Sequence, residues 1–538
     1  MGLAGTASLA LGGATAGALP VRVLLAPASV QAALGLVGVY FGVVLLVAAW
    51  VLLGRLVRGP EPPTPRALLL VLAVWAAPLL LAPPLFSRDV YSYLAQGAMV
   101  EAHMDVYAHG PAQLGGPLAD EVAPMWRHTG APYGPAFLAL ASALSGMTRG
   151  EVPAGLLGMR LVALVGVALM ALALPRLARH SGADPAAALW LGALNPLVLL
   201  HLVAGAHNDA LMLGLLGLGL VAARGRRPVV GAVLVTLAAL VKAPAALGLP
   251  AVVALRVRSG RRPLPAVLTT AAASAATAVA LAASALAAWA DLAASRLYWT
   301  EALWDTGRVG RLDYVSNQSL QGVLARLGET GRPLWAAAVL LTLCVWAWRG
   351  RRAVAAGDWA AAFALTGAAA CLVSPITWVH HLVWLLPSFA VLVRAGHARV
   401  AAALYAVLCT SVVWLWFDDA SGLDGFLGGN LCTWISLGLL LGVPVGQSRA
   451  PRLPLARSTS ATTPAPSPES PATTAVPDQS ESSSGATAAT TGVADATGRE
   501  ECGRSPSSEP TGSTRPAAAK PQSSRARASS YTVNPPSA

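Results

Sequence analysis

Long apolar runs recur along most of this 538-residue chain, and they constrain its fold more than any other feature. The runs from Val30 to Leu53 and from Ala67 to Leu85 each have about the ~20 residues needed to cross a hydrocarbon core. Helices and closed barrels are the structures that cross such a core with every backbone group bonded. Because 55% of the residues are hydrophobic and 12% are charged, we predict an all-α polytopic membrane protein with about 13–14 spans.

Basic residues indicate how the predicted spans are oriented. Arg55 and Arg58 follow the run that ends at Leu53, and other arginines mark the ends of later runs in the same alternating order. The positive-inside rule assigns such loops to the cytoplasm. Both chain ends are then predicted inside, and two long segments, residues 86–153 and 290–332, are predicted outside.

Composition also predicts a division of the chain and excludes some functions. Residues 1–446 contain the apolar runs, whereas residues 447–538 are rich in Ser, Thr, Pro and Ala and are predicted to form a disordered cytoplasmic tail. The formal net charge is +12, but the basic residues lie at loop ends instead of forming one patch. We therefore predict no nucleic-acid partner. The five cysteines are scattered without metal-ligand spacing.

Asp89 is the predicted catalytic residue. It lies in the stretch Phe86-Ser87-Arg88-Asp89-Val90-Tyr91-Ser92-Tyr93, directly after an apolar run that ends in Pro83-Pro84-Leu85. This position places a carboxylate at the outer edge of the membrane, where we predict that it acts as a general base. The alternative is that Arg88 and Asp89 only cap a helix at the headgroup level.

Further polar residues on the predicted outer side suggest a transferase that uses a lipid-linked sugar. The chain has neither a phosphate-binding P-loop nor a dinucleotide fingerprint after a strand, and nucleotide sugars are cytoplasmic. An isoprenoid-linked donor would instead keep its tail in the bilayer and its phosphate at the polar edge. The candidate donor-binding and phosphate-binding residues are Arg88, Lys242, Arg311, His380 and His381. The candidate acceptor-binding and sugar-binding residues are Tyr91, Tyr133, His207, Asn208, Asp209, Asn317 and Gln318.

Several of these residues have simpler interpretations. His380 and His381 could face lipid headgroups, or could join His207 and Asp209 as metal ligands, although adjacent histidines on a helix point in different directions. Residues 207–209 could merely cap the helix that follows. Lys242 is the most suggestive cation, because a lysine within the membrane is costly. Arg160, a few residues into a span, could extend its side chain to the interface.

Four segments of the first half resemble a known enzyme family. They are FSRDVYSYLAQG from Phe86, PMWRHTGAPYGP from Pro124, NPLVLLHLVAGAHNDAL from Asn195 and KAPAALGLP from Lys242. These segments resemble actinobacterial polyprenol-phosphomannose-dependent α-1,6-mannosyltransferases, which extend the mannan of lipomannan-type glycolipids. The resemblance implies that polyprenyl-phosphate-mannose is the donor and a growing mannan or lipoglycan is the acceptor.

The second half resembles a related family. GRVGRLDYVSNQSL from Gly307 and SPITWVHHLVW from Ser374 are similar to the glycosyltransferase 87 family of α-1,2-mannosyltransferases. Both families belong to the GT-C superfamily of multispan membrane enzymes. The resemblance implies that Asp89 is the general base, that the pair His380-His381 handles the donor phosphate, and that neither a metal nor a cofactor is needed.

Two alternatives to an extracytoplasmic α-1,6-mannosyltransferase remain at this point. One is an α-1,2-mannosyltransferase, which the second half favours. The other is a transporter or flippase for a lipid-linked sugar, suggested by apparent helix breaks at Pro244 and Pro375. A transporter would need polar residues along the whole path across the membrane, whereas the inner ends of these runs offer only arginines.

Overall fold

Prolines and capping residues divide the apolar runs into helices. Thr64 accepts a hydrogen bond from the Ala67 amide at 3.2 Å, and Pro65 starts the helix that follows. Asp184 caps the helix that begins at Pro185 in the same way, because its carboxylate accepts hydrogen bonds from the amides of Ala186 and Ala187. Proline suits the first helical turn because its missing N–H would have no partner there. The computed structural model describes residues 1–16, 29–225, 227–289, 296–303, 311–328, 331–410, 412–416 and 420–446.

The first half of the described chain contains twelve α-helices. They are α1 (Gly2–Ala16), α2 (Val30–Val57), α3 (Pro65–Ala76), α4 (Asp89–Glu101), α5 (Gly116–Glu121), α6 (Pro135–Thr148), α7 (Val152–His180), α8 (Pro185–Leu191), α9 (Asp209–Arg224), α10 (Pro228–Val241), α11 (Leu249–Arg258) and α12 (Pro263–Trp289).

The second half of the described chain continues with further helices and has no strand. They are α13 (Leu320–Arg326), α14 (Arg332–Ala355), α15 (Trp359–Val373), α16 (Leu386–Arg394), α17 (Ala398–Thr410), α18 (Gly422–Gly428) and α19 (Leu431–Gly442). Short 3-10 or π-helical segments extend or connect the helices at Ala77–Leu80, Pro111–Gln113, Pro124–Trp126, Val198–Ala204, Ala243–Gly248, Tyr298–Ala302, Val379–Leu385 and Val412–Trp416.

Glycines let α1 and α2 pack with their backbones in close contact. A Cβ atom added at Gly12 would lie 2.7 Å from the carbonyl oxygen of Gly35, and one at Gly42 would lie 2.7 Å from that of Gly5. Membrane helices gain little from the hydrophobic effect against each other, so close van der Waals packing of small residues drives their association. The Gly-rich and Ala-rich start of the chain therefore forms a packed helix pair.

The chain is an all-α polytopic membrane protein, which confirms the predicted fold class. Among the described residues, four helices are long and apolar enough to cross a membrane alone, namely α2, α7, α12 and α14. The number rises to 6 if each of two bent helix pairs counts as one span. Most of the other predicted spans correspond to apolar helices of 10–17 residues, because proline and glycine interrupt the runs.

Two interruptions shape the centre of the molecule. The run predicted as one span from Ala186 to Val203 breaks after α8, where Pro196 has no N–H and the Asn195 side chain accepts from the Leu197 amide at 3.0 Å. The chain then forms the π-helical segment Val198–Ala204 and bends by 111° into α9. The predicted break at Pro244 is confirmed, since α10 ends at Val241 and α11 begins at Leu249.

The described residues belong to one compact unit, which extends over residues 1–455. The predicted tail, residues 447–538, lies outside the described residues, as does part of the predicted external segment 290–332. The disorder and cytoplasmic location of the tail therefore stay predictions.

Candidate active site

Asp89 is the first residue of α4, which begins soon after the prolines that end the preceding apolar run. The Asp89 amide donates to the Ser87 hydroxyl at 3.1 Å. The side chains of Ser87 and Trp126 lie close enough to the carboxylate to act as hydrogen-bond donors. The Asp89 side chain is 15% exposed. Burial raises the pKa of Asp89 above its ordinary value, despite the opposing effect of the Lys242 charge and the hydrogen bonds. A carboxylate with a raised pKa is suited to accept a proton.

His207 lies beside Asp89 and is reached through the 111° bend before α9. Its Nδ1 is 3.9 Å from Oδ2 of Asp89 and 3.1 Å from the hydroxyl of Tyr93. The rings of His207 and His380 stack with centroids 3.6 Å apart and an interplanar angle of 19°. Two chain segments more than 170 residues apart in sequence thus meet at the predicted base.

Lys242 connects the two other parts of the site. Its Nζ lies 2.6 Å from Oδ2 of Asp209 and 2.6 Å from Nε2 of His381. The Trp378 amide donates to Nδ1 of His381 at 3.0 Å, and this bond turns Nε2 toward the lysine. The partly buried lysine is therefore paired, as the cost of an isolated charge in a membrane protein requires.

Four buried polar atoms in residues 207–209 have no hydrogen-bond partner. They are Nε2 of His207, Nδ2 and Oδ1 of Asn208, and Oδ1 of Asp209. All three residues are at most 2% exposed. Buried polar groups are almost always hydrogen-bonded because leaving them unpaired costs about 1–3 kcal/mol each. This concentration of free donors and acceptors is suited to bind the hydroxyl groups of a sugar.

Backbone strain marks the two turns that lead into the site. Phe86 and Ala206 have φ values of 65° and 54°, which are uncommon for residues other than glycine. They lie three residues before Asp89 and one residue before His207. Strain of this kind concentrates at functional sites, where the surrounding packing maintains it.

The arrangement of the histidines is poorly suited to a metal ion. Oxygen and nitrogen atoms of Asp89, His207 and His380, and those of Asp209, His380 and His381, lie within 4.8 Å of one another. However, imidazole lone pairs lie in the ring plane, and the nearly parallel planes of His207 and His380 cannot both point at one ion. In the second group, Asp209 and His381 already contact the Lys242 amine.

The structure places the other candidates in the first half as follows. The Arg88 guanidinium is paired with Glu121, 3.0 Å away, and lies over the ring of Tyr91, which is buried. The Tyr133 ring packs edge-on against Tyr93 at 5.0 Å, next to the histidines. Tyr133 is therefore close to Asp89 through Tyr93, whereas the charge of Arg88 is already balanced.

The candidates in residues 311–318 have other partners. Arg311 is exposed and forms two hydrogen bonds with Asp313. The Asn317 side chain bonds to Leu312, Pro375 and Thr377, and the Gln318 side chain bonds to backbone groups of Val315, Gly429, Cys432 and Thr433. Both amides are saturated, so this geometry does not support their predicted role in sugar binding. The Asn317 side chain holds the segment that leads to His380, and the Gln318 side chain connects to the start of α19.

Sequence reasoning missed Tyr93, Ser87 and Trp126 as neighbours of Asp89. For Tyr93 a signal existed, because it follows Asp89 by four residues on a predicted helix and such residues share a face. Trp126 lies in the quoted segment PMWRHTGAPYGP but carries no local signal for its contact with Asp89.

Three comparisons with known proteins bear on this site. Residues 1–258 match the family model described as Alpha-(1->6)-mannopyranosyltransferase, N-terminal domain. The chain is 45% identical over 238 residues to Alpha-(1->6)-mannopyranosyltransferase A of Mycobacterium tuberculosis. The aligned region covers 43% of this chain and 46% of the relative. For the protein of the same name in Corynebacterium glutamicum, the identity is 39% over 221 residues, with 40% and 45% covered.

A more distant relative is a polyprenol-phosphate-mannose-dependent alpha-(1-2)-phosphatidylinositol mannoside mannosyltransferase of Mycobacterium tuberculosis. It is 37% identical over 129 residues, which is 23% of this chain and 30% of the relative. No solved structure matches the chain. The chain spans less than half the length of the curated relatives it matches. Its first 258 residues, which contain Asp89, His207 and Lys242, are therefore similar to the family described as alpha-(1->6)-mannopyranosyltransferase, N-terminal domain.

Proposed function

We propose that the protein is a membrane mannosyltransferase that transfers mannose from polyprenyl-phosphate-mannose to a mannan or lipoglycan acceptor outside the cytoplasm. Asp89 accepts the proton of the attacking acceptor hydroxyl. The hydroxyl oxygen then bonds to the anomeric carbon from the face opposite the phosphate, and the bond between that carbon and the phosphate oxygen breaks. The anomeric centre is inverted, and polyprenyl phosphate leaves.

One observation carries this proposal. In a segment that matches a mannosyltransferase family, the partly exposed carboxylate of Asp89 lies beside a buried group of histidines and a lysine. A base and groups able to bind a phosphate are the two elements that transfer from a sugar phosphodiester requires. They are brought together here from four separate chain segments.

The donor and acceptor occupy different parts of this site in the proposed mechanism. Lys242, His380 and His381 bind the departing phosphate, with Asp209 holding the lysine in place. The free atoms of His207 and Asn208 bind sugar hydroxyls near Asp89. The proposed mechanism uses neither a metal nor a cofactor. The near-parallel imidazoles of His207 and His380 do not converge on one ion.

The linkage proposed is α-1,6, and the runner-up is α-1,2. The family match over residues 1–258 and the longer, more similar relatives support α-1,6. The polyprenol-phosphate-mannose-dependent alpha-(1-2) enzyme is a shorter match, but its name supports the proposed donor. Linkage analysis of the extended product decides between the two.

The test compares Asp89→Asn with Asp120→Asn. Asp120 is an exposed carboxylate in the same segment, so its variant controls for the change in charge. Membranes that contain each variant are incubated with radiolabelled polyprenyl-phosphate-mannose and a mannoside acceptor. We expect Asp89→Asn to abolish transfer while donor binding persists, and Asp120→Asn to transfer at the wild-type rate. Near-normal transfer by Asp89→Asn would overturn the role of Asp89.

The same assay tests the transporter alternative. Label that appears in a longer glycan supports the transferase. Label that remains on the polyprenyl phosphate and only changes sides of the membrane supports a flippase.

A further inference from the structure

Arg160 is a buried cation that the proposed mechanism does not use. It lies on α7, and only 2% of the residue is exposed. One guanidinium nitrogen donates to the carbonyl oxygen of Leu80 at 2.8 Å. Its Nε and Nη2 have no partner.

No carboxylate among the described residues forms an ion pair with Arg160. The neighbouring Arg88 differs, because Glu121 balances its charge at 3.0 Å. Tyr91 lies close enough to interact electrostatically with both arginines. A buried and unpaired guanidinium is strongly unfavourable unless an anion accompanies it. The free N–H groups of Arg160 thus indicate an anionic ligand.

The surroundings of Arg160 indicate which anion this is. Arg160 lies eight residues after the start of α7, which corresponds to roughly 12 Å along the helix axis. At the same level, the apolar side chains of Leu157 and Leu161 are 44% and 50% exposed, and Leu81 beyond the Leu80 carbonyl is 86% exposed. Exposed leucines on a membrane helix face lipid. The anion at this depth therefore belongs to a lipid, and phosphate is the group that a guanidinium binds through two parallel hydrogen bonds.

We propose that Arg160 binds the phosphate of a membrane lipid through its free Nε and Nη2 groups, with the lipid chain lying against Leu81, Leu157 and Leu161. Two lipids share this chemistry: the polyprenyl phosphate of the donor, and a glycerophospholipid such as phosphatidylinositol. In the first case the inference rests on the proposed function, and Arg160 supplies a donor contact in addition to the histidines. In the second case it does not.

The experiment measures lipid binding to purified full-length protein in a maltoside detergent, which carries no phosphate, by native mass spectrometry and by the shift in unfolding temperature. The probes are a polyprenyl phosphate, the corresponding polyprenol without phosphate, and phosphatidylinositol. The variants are R160Q, R160K and the control R176Q. Arg176 lies on the same helix, is exposed, and donates to the backbone of Leu172 in its own helix.

We expect R160Q to bind one of the two phosphate lipids about tenfold or more weakly, as expected from the loss of a charge-assisted hydrogen bond. R176Q should bind as the wild type does, and polyprenol should bind R160Q and wild type equally. Weaker binding of polyprenyl phosphate alone assigns the site to the donor. Weaker binding of phosphatidylinositol alone assigns it to a glycerophospholipid.

Unchanged binding of both phosphate lipids by folded R160Q would overturn the inference. If R160Q does not fold, the same binding measurement is made with R160K, because lysine keeps the charge and loses the planar pair of donors. A smaller phosphate-dependent shift in unfolding temperature supports the inference, and an unchanged shift overturns it. Lipid binding does not require turnover. A failure at Arg160 therefore leaves the role of Asp89 intact, and an inactive wild type leaves the binding test valid.

Discussion

At the scale of single residues, the sequence indicates which side chains could take part in the candidate site better than it indicates which of them are in contact. Asp89 is found because a carboxylate directly after an apolar run is unusual, and Lys242 because a lysine between apolar segments is costly. The contact of Lys242 with Asp209 and His381 bridges 33 and 139 residues of sequence. A single sequence carries no signal for such pairs. Asn317 shows a related limit. The sequence alone does not distinguish a side-chain amide that is bonded to the backbone from one that is available to a ligand.

The charge of Lys242 should set the pH dependence of transfer. Asp89 acts as a base only when deprotonated, so kcat/KM falls as pH falls through its pKa. Burial places this pKa above the ordinary value, and Lys242 lowers it. We expect Lys242→Met to shift the acid limb of the residual activity to higher pH, and Lys242→Arg to leave it close to that of the wild type. A limb that stays or moves to lower pH in Lys242→Met would contradict this coupling.

Removal of the Tyr93 hydroxyl should weaken the orientation of His207. The Tyr93→Phe variant loses the 3.1 Å hydrogen bond to Nδ1 but retains the ring contacts with Tyr133 and Phe137. A net hydrogen bond of about 1 kcal/mol corresponds to roughly a fivefold loss in kcat/KM. Initial rates with varied donor measure this effect, and the unfolding temperature of the variant shows whether packing is retained. Rates equal to those of the wild type would mean that the bond has no role in transfer.

At the scale of elements, helix type is predictable from the sequence but helix continuity is less so. Prolines predict the breaks at Pro244 and Pro375 closely, since the α-helices before them end at Val241 and Val373. The run from Ala186 to Val203 reads as one span, yet Pro196 and the side chain of Asn195 stop the helix in its middle. Proline indicates that a break is allowed, whereas the 111° bend that follows depends on packing.

The glycine contact between α1 and α2 gives a prediction about stability. In Gly12→Val, the new Cβ would lie 2.7 Å from the Gly35 carbonyl, so the helices must separate. We expect the free energy of unfolding to fall by about 1–3 kcal/mol. Thermal unfolding in detergent measures the change. Gly350→Ala is the control, because a Cβ there meets nothing within 4 Å and alanine favours a helix; a loss in the control as large as in Gly12→Val would contradict the prediction.

The side-chain amide of Gln318, whose hydrogen-bonding groups all have partners, gives a second prediction about stability. In Gln318→Leu, four backbone groups lose their partner, two of them with bonds of 2.6 Å. Each buried group left unpaired costs about 1–3 kcal/mol, so we expect a markedly lower unfolding temperature. Differential scanning fluorimetry of purified protein tests this expectation. An unfolding temperature equal to that of the wild type would instead favour the predicted contact with a sugar.

At the scale of the whole molecule, the fold class and the positions of the helices agree with the sequence, whereas the number of spans depends on the packing of short helices. The orientation in the membrane comes from the distribution of arginines alone. It predicts that Asp89 lies on the outer side, as the proposed external reaction requires.

Cysteine labelling tests that orientation. In a background without native cysteines, D120C lies in the segment predicted outside, and R258C lies at the end of α11 that is predicted inside. We expect a maleimide that does not cross membranes to label D120C in intact cells, and R258C only after permeabilisation. The opposite pattern would place Asp89 in the cytoplasm and end the proposal of an external reaction.

The bond between Lys242 and His381 has a consequence for how such proteins diverge. Lys242 lies within the matched segment that ends at residue 258, whereas His381 lies far beyond it. A chimaera that joins residues 1–258 of this chain to the C-terminal half of a homologue inherits Asp89 and Asp209 but not the imidazole that contacts Lys242. Recombination at that boundary is therefore productive only when the incoming half presents an imidazole at the same point in space.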